Sequence, residues 1–314
     1  MTSVTETSPV AFIIFNRPEV TRRVFEKIRA AKPSILLVVA DGPRANKAGE
    51  AERCAEARAV ISTVDWPCDV RTNYSDVNLG CGKRVSSGIT WVFKNVERAV
   101  ILEDDCDPHP SFFGYASELL NRYENDERVM HIGGVNFQNG QPRGNASYFF
   151  SHYPHVWGWA TWRRAWSLYD FEMKTFDRFI EAGGLQSFLP DVTQQRFWHG
   201  NLKNVKEGKI DTWDFQWVYA CWSNHALSIH PNVNLVTNLG FGADATHTPE
   251  ISPLMNIPSV EIGKLRHPEW MTPDMAADRY TFEHAFGGNV PQQERAWPTR
   301  VRRNISRIKR RVLS

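Results

Sequence analysis

Cysteine is scarce and carries no pairing pattern. Five are spread over 314 residues (Cys54, Cys68, Cys81, Cys106, Cys221), an odd number with no C-x-x-C pair. That argues against a disulfide framework or a zinc ribbon and predicts a reducing, cytoplasmic setting. There is no run of about 18 apolar residues, so no transmembrane helix is expected. Residues 1–8 are polar and lack the basic-then-apolar order of a signal peptide. No internal repeat is evident. A Walker A loop is missing too: in Gly80-Cys81-Gly82-Lys83 only Gly82-Lys83 fits, and Val85 rather than Ser or Thr follows Arg84. Neither sign of charge dominates, with 37 Lys and Arg against 35 Asp and Glu. Residues 300–314 nevertheless hold seven Lys or Arg and no acid, so a net charge of +2 leaves the rest at −5 (2 − 7).

What is present is ordinary for a soluble globular chain, with 42% apolar and 23% charged residues. Apolar runs at 10–15, 35–40 and 99–102 read as buried strands, and a further strand is expected near 69–73. Between them, helices are expected from Pro18 to before Pro33, over 46–63, and from Gly82 to about Val96. This alternation predicts an α/β fold with a largely parallel sheet flanked by helices. Ligands bind such sheets at the carboxyl ends of the strands. Asn16-Arg17, Asp41, the loop 78–83 and Glu103-Asp104-Asp105 all follow strands and should converge on one edge. Another strand is expected at 129–132. Beyond it the composition shifts: eight of the twelve tryptophans fall between Trp157 and Trp222.

Glu103-Asp104-Asp105 is the most informative motif. Three adjacent carboxylates repel one another unless a cation or a set of donors sits among them. A hard ion, Mn²⁺ or Mg²⁺, suits such oxygens and the phosphates it would hold; the alternative is a solvated strand end. Gly80-Cys81-Gly82-Lys83 before a helix reads either as a phosphate-cradling turn or as an ordinary loop. Asp211-Thr212-Trp213-Asp214 opens a segment with Trp217, Val218, Cys221 and Trp222 at helical spacing. Asp211 can simply cap that helix; the functional reading makes Asp214 a general base beside a wall of sugar-stacking tryptophans. Trp159, Trp162 and Trp166 fit one helix face, which makes part of the cluster core, while Gly158 permits close backbone approach. His247 is either a metal or phosphate ligand or a hydrogen-bonded structural residue; His152 and His155 read as structural. Val301, Ile305, Ile308 and Val312 give the tail the pattern of a basic amphipathic helix for an anionic membrane surface. A solvated tail or a nucleic-acid arm are its alternatives.

These residues, with Pro110-Ser111-Phe112-Phe113, stand in the order found in GT-A-fold nucleotide-sugar transferases. The chain resembles N-acetylglucosaminyltransferase I and the bacterial family 2-like, hemolytic-protein-like glycosyltransferases over about residues 9–250. The resemblance implies a GT-A fold, a metal-dependent transfer from a nucleotide-diphosphate sugar, UDP-linked as a first expectation, and an inverting displacement onto a glycan or lipid-linked acceptor. Arg17 and Asp41 would contact the nucleotide, Asp105 would ligate the metal, Asp104 would lie near ribose or metal, and Glu103 would face the donor sugar. From the residues alone, Lys83 of the glycine loop joins the candidates for the nucleotide phosphates and His247 joins Asp105 as a candidate metal ligand. Asp214 would be the base. Asn136, Gly158, Trp159 and Trp213 would lie near donor sugar or acceptor. Phe215 stands where the eukaryotic enzyme has a second Asp after Trp-Asp. On this reading residues 1–140 form the nucleotide-sugar half, 141–290 the acceptor half, and 291–314 a tail holding the protein at the inner face of the plasma membrane; no nucleic-acid partner is expected. Two other readings remain: a sugar-1-phosphate nucleotidyltransferase, although Asn16-Arg17-Pro18 stands where a G-x-G-T-R-like loop would be, and a non-catalytic carbohydrate-binding protein at the membrane surface.

Overall fold

The structure is a computed structural model that describes residues 7–240 and 256–286. His247 and the basic tail lie outside the described residues. The first half alternates as expected: β1 (Val10–Ile14), α1 (Pro18–Ala31), β2 (Ile35–Ala40), α2 (Glu50–Ala59) with a closing 3₁₀ turn at Val60–Thr63, β3 (Asp69–Tyr74), α3 (Cys81–Asn95) and β4 (Arg98–Glu103). Then come β5 (Cys106–Pro108), α4 (Ser111–Arg122), β6 (Val129–Gly133), β7 (Tyr148–Ser151) and β8 (Trp159–Trp162). Helices α5 (Arg163–Trp166), α6 (Phe176–Glu181), α7 (Gly184–Phe188), α8 (Val192–Lys206) and α9 (Asp214–Ser223) follow. The last elements are β9 (Leu227–Pro231), β10 (Val236–Asn238) and α10 (Met275–His284).

One eight-stranded sheet runs through both halves in the order β3-β2-β1-β4-β8-β6-β9-β7. Strands β1 to β4 pair in parallel. β8 lies antiparallel between β4 and β6, and β7 antiparallel on β9. A separate antiparallel pair, β5 with β10, sits just beyond the end of β4. Side chains alternate across the sheet as the pleat demands. Phe12, Val38, Val100 and Leu102 pack under α1 and α4, while Ala11, Ile13, Leu37, Val39 and Ile101 pack under α3, α5 and α9. A further cluster of Phe176, Phe188, Trp198, Leu202, Tyr219 and Trp222 joins α6–α9.

The expected helix face at Trp159, Trp162 and Trp166 is replaced by a strand and a short helix. Trp159 and Trp162 lie on β8, paired with Ile101 and Arg98 of β4. Short apolar runs do not distinguish strand from helix by spacing. The helix expected from residue 46 starts only at Glu50, because Gly49 is left-handed at φ 70°.

Candidate functional site

The first four strands end at one edge, and each delivers a polar group there. After β1 the chain turns at Asn16-Arg17. Pro18 starts α1 with its φ already helical, and no side chain caps that helix. Arg17 turns instead onto the end of β4. Its guanidinium is paired with Asp104 and donates to Asp105 Oδ2 at 2.9 Å; Phe15 N–H donates to Asp104 Oδ2 at 3.4 Å. The cation that three neighbouring carboxylates require is therefore supplied in part from within the chain. Burial alone would lower the Arg17 pKa, but Asp104 and Asp105 outweigh it and hold it above its ordinary value.

The three acids separate by position. β4 ends at Glu103, and Asp104-Asp105 forms the turn into β5. Asp104 is buried at 3% exposure, whereas Glu103 and Asp105 are half-buried. Burial, and after it the charges of Asp105 and Asp104, push the Glu103 carboxyl up to about 8. Asp214 adds to that push, which places the start of α9 within electrostatic reach of the β4 end. Cys81, the first residue of α3, lies among the same acids. Its thiol is pushed up by burial and then by Glu103, Asp214, Asp211 and Asp105. The β5–β10 ribbon closes the other side: Leu239 N–H donates to Asp105 O at 2.8 Å.

Asp41, at the end of β2, is buried and already engaged. Its carboxylate accepts from the backbone N–H of Gly42 (2.9 Å), Leu79 (3.0 Å) and Gly80 (3.2 Å), and from Asn78 Nδ2 (2.9 Å). Burial still raises its pKa against those donors. Arg84 of α3 ties the same edge together, donating to Ala40 O at 3.1 Å and to Asn73 Oδ1 at 2.6 Å. Asn16 is held by the fully buried Glu50, which also pairs with Arg44.

Asp211 does not cap its own helix. Its Oδ1 accepts from Gly82 N–H at 3.0 Å, at the start of α3. The N-terminus that reads as a phosphate cradle thus already receives a carboxylate from the same chain. Lys83, on the exposed side of that first turn, has no ion pair among the described residues. Asp214 Oδ1 accepts from Thr212 Oγ1 and from Phe215 N–H (3.0 Å). Its Oδ2 has no hydrogen bond among the described residues, so one basic lone-pair edge is left for another donor.

Four of the expected sugar-contacting residues are built into the fold instead. Trp159 is fully buried, stacked on His131 at 5.1 Å and on Trp213 at 5.7 Å, and Trp213 is 3% exposed. Neither ring has an open face for a sugar. Asn136 donates to Pro231 O and accepts from Gln138 N–H, while its own N–H donates to Asn234 Oδ1. Gly158 adopts φ 62°, and a Cβ there would meet the Val236 side chain at 2.6 Å; its close approach is to β10, not to a ligand. Sequence reading also missed the Asp211–Gly82 link and the buried His131 and His230; His155, which joins them, is buried as a structural residue, as expected. Only the paired glycines at 80 and 82, before a helix with no acid in its first turn, hinted at the link.

Among the described residues no three His, Cys, Asp or Glu side chains are arranged to hold a metal ion by themselves. Nor is any described helix long and apolar enough to cross a membrane. Compared with known proteins, the chain matches no family model and no curated sequence. Among solved structures it is similar to 4-diphosphocytidyl-2C-methyl-D-erythritol synthase from Anaerococcus prevotii. That similarity has 7% identity and a TM-score of 0.31, over 52% of this chain and 75% of that one. Likeness at that level assigns neither fold family nor activity.

Proposed function

We propose that the chain is a metal-dependent glycosyltransferase of GT-A type, moving a sugar from a nucleotide-diphosphate sugar to a hydroxyl of a glycan or lipid-linked acceptor. One observation carries the reading: Asp211 takes Gly82 N–H at 3.0 Å and so brings the segment opening α9 to the start of α3, where Asp214 adds to the push on Glu103 at the end of β4, although about 110 residues separate the two in sequence. Four carboxylates gathered around the single guanidinium of Arg17, which pairs with only Asp104 and Asp105, mark a place suited to a further cation.

The donor set fits a hard divalent ion. Mg²⁺ and Mn²⁺ commonly bind through one or two carboxylates plus substrate phosphates, so a three-ligand protein cage is not required. Asp105 and Glu103, whose side chain has no hydrogen bond or ion pair among the described residues, supply such oxygens; His247 is the remaining ligand in this reading. When bound, the ion neutralises the donor diphosphate and the charge that develops on it as it leaves. Arg17 adds a fixed positive charge at the same edge. Asp214 Oδ2 accepts the proton of the acceptor hydroxyl, whose oxygen bonds to the anomeric carbon as the bond to the diphosphate oxygen breaks. A single base opposite the leaving group suits inversion.

Asp214→Asn should keep nucleotide-sugar binding and lose at least about 100-fold in transfer rate, in the usual range for removal of a general base. Full transfer by that variant would remove Asp214 from the mechanism. Release of pyrophosphate from a nucleoside triphosphate, in place of nucleoside diphosphate from a sugar donor, would instead make the protein a nucleotidyltransferase. Attachment of the basic tail to anionic lipid belongs to the same proposal and is checked by sedimentation with phosphatidylserine vesicles.

A further inference from the structure

We propose that Asp211 is a positioning residue that latches the Asp214 segment onto the start of α3; as a statement about catalysis this rests on Asp214 being the base. The first N–H groups of a helix have no partner within it, and α3 carries no acid in its own first turn. Gly82 N–H finds its acceptor 129 residues along the chain, in Asp211. The two glycines of the loop make that possible. A Cβ at Gly80 would stand 2.7 Å from Asp211 Oδ2; one at Gly82 would stand 2.6 Å from Asp211 Oδ1 and 2.7 Å from Thr212 O. Gly80 also adopts φ 81°, a conformation that other residues enter at a cost. The Gly-x-Gly pattern is therefore the imprint of the Asp211-Thr212 segment, and the dipole of α3 is directed at an internal carboxylate rather than at a phosphate.

From Asp211 the constraint passes to Asp214 through short links. Thr212 Oγ1 donates to Asp214 Oδ1, Gln216 Nε2 donates to Thr212 O at 3.0 Å, and Tyr169 Oη donates to Trp213 O at 3.1 Å. Trp213, the residue preceding α9, contributes no side-chain cap. Asp211 itself is exposed, so its bond to Gly82 is not a by-product of core packing. At the other end of the same loop Asp41 takes the N–H groups of Leu79 and Gly80. Residues 78–82 are thus clamped between two carboxylates, one at the nucleotide edge and one beside the base.

The test compares Asp211→Ala, Asp211→Asn and Gly82→Ala in the full-length protein, by steady-state kinetics and by amide hydrogen exchange. Asp211→Ala should lower kcat about 10-fold to 100-fold, as small misplacements of catalytic groups do, with the donor KM within about threefold of wild type. Asp211→Asn keeps an oxygen for Gly82 N–H and should recover most of the rate. Gly82→Ala should reproduce the loss with Asp211 intact. Exchange over residues 80–84 and 212–216 should accelerate together in Asp211→Ala and Gly82→Ala, but not in Asp211→Asn. An unchanged kcat, a change confined to KM, or wild-type exchange in Asp211→Ala would each overturn the proposal. A wild-type protein without transfer activity would sink the assignment of Asp214 as base; the exchange measurement would then decide the latch by itself.

Discussion

Replacing Arg17 by Met isolates the electrostatic device on which the site is built. The guanidinium is the partner of Asp104, whose side chain is only 4% exposed, and it also reaches Asp105. Removing one member of a buried ion pair costs about 3–5 kcal/mol, because the other charge is left without compensation. The Arg17 side chain is 23% exposed and that of Asp105 17%, so water relieves part of the loss. The expected cost is therefore about 2–3 kcal/mol. At about 2–4 °C per kcal/mol for a large domain, Tm should fall by roughly 4–12 °C. Thermal unfolding of wild type, Arg17→Met, Asp104→Asn and the double variant measures it. The double variant should be more stable than Arg17→Met, since it removes the buried Asp104 charge that Arg17→Met strands and leaves only the half-buried Asp105 without its partner. Millimolar Mn²⁺ should restore part of the Tm of Arg17→Met, because a cation can take the guanidinium's place. The reasoning fails if Arg17→Met melts with wild type, or if the double variant is no more stable than Arg17→Met.

Two pH-dependent outcomes follow from buried groups of opposite kind. The Glu103 carboxyl, held near 8 by burial and by Asp105 and Asp104, binds protons in the folded state that it has lost in the unfolded one. Its contribution is thus most favourable at low pH and declines as pH rises through about 8. Glu103→Gln should raise Tm above pH 8, with the gain vanishing toward pH 4; no gain at pH 9 would refute this. His131, His155 and His230 are kept neutral chiefly by burial, His230 down to about 4. They favour folding above the ordinary histidine value of 6.5, and that stability is lost as pH falls toward 4. His230→Asn should narrow the Tm difference between pH 8 and pH 5, and an unchanged difference would show that the trio does not set the acid limb.

The first half was legible in the sequence because β1, β2 and β4 are buried apolar runs ended by a polar turn, while the polar, half-exposed β3 is legible only from its place in the alternation. Arg17, Asp41 and Glu103-Asp104-Asp105 reach one edge for that reason alone, since parallel strands place all their exits on the same side. The second half was less legible. Trp159 and Trp162 look alike on a helix and on a strand until β4 is known to pair with them. Trp213 and Asn136 suit ligand contacts in the sequence because aromatic rings and amides serve sites and cores equally well; only burial and filled hydrogen bonds separate the two roles. Asp211 looks like a local cap because a sequence shows a carboxylate next to its own helix and hides the N-terminus of α3, which needs one more. The β5–β10 ribbon beside Asp105 was missed because strands of three residues carry no periodicity.

The most direct test of the central claim is the Tm of the wild-type protein with a panel of UDP- and GDP-sugars, each with and without Mn²⁺. A bound donor at about 100 times its Kd adds roughly 2.7 kcal/mol of stability. At least one nucleotide sugar should raise Tm only when Mn²⁺ is present, and Asp105→Ala should abolish that rise. No shift with any nucleotide sugar, or a shift independent of both Mn²⁺ and Asp105, would contradict the account.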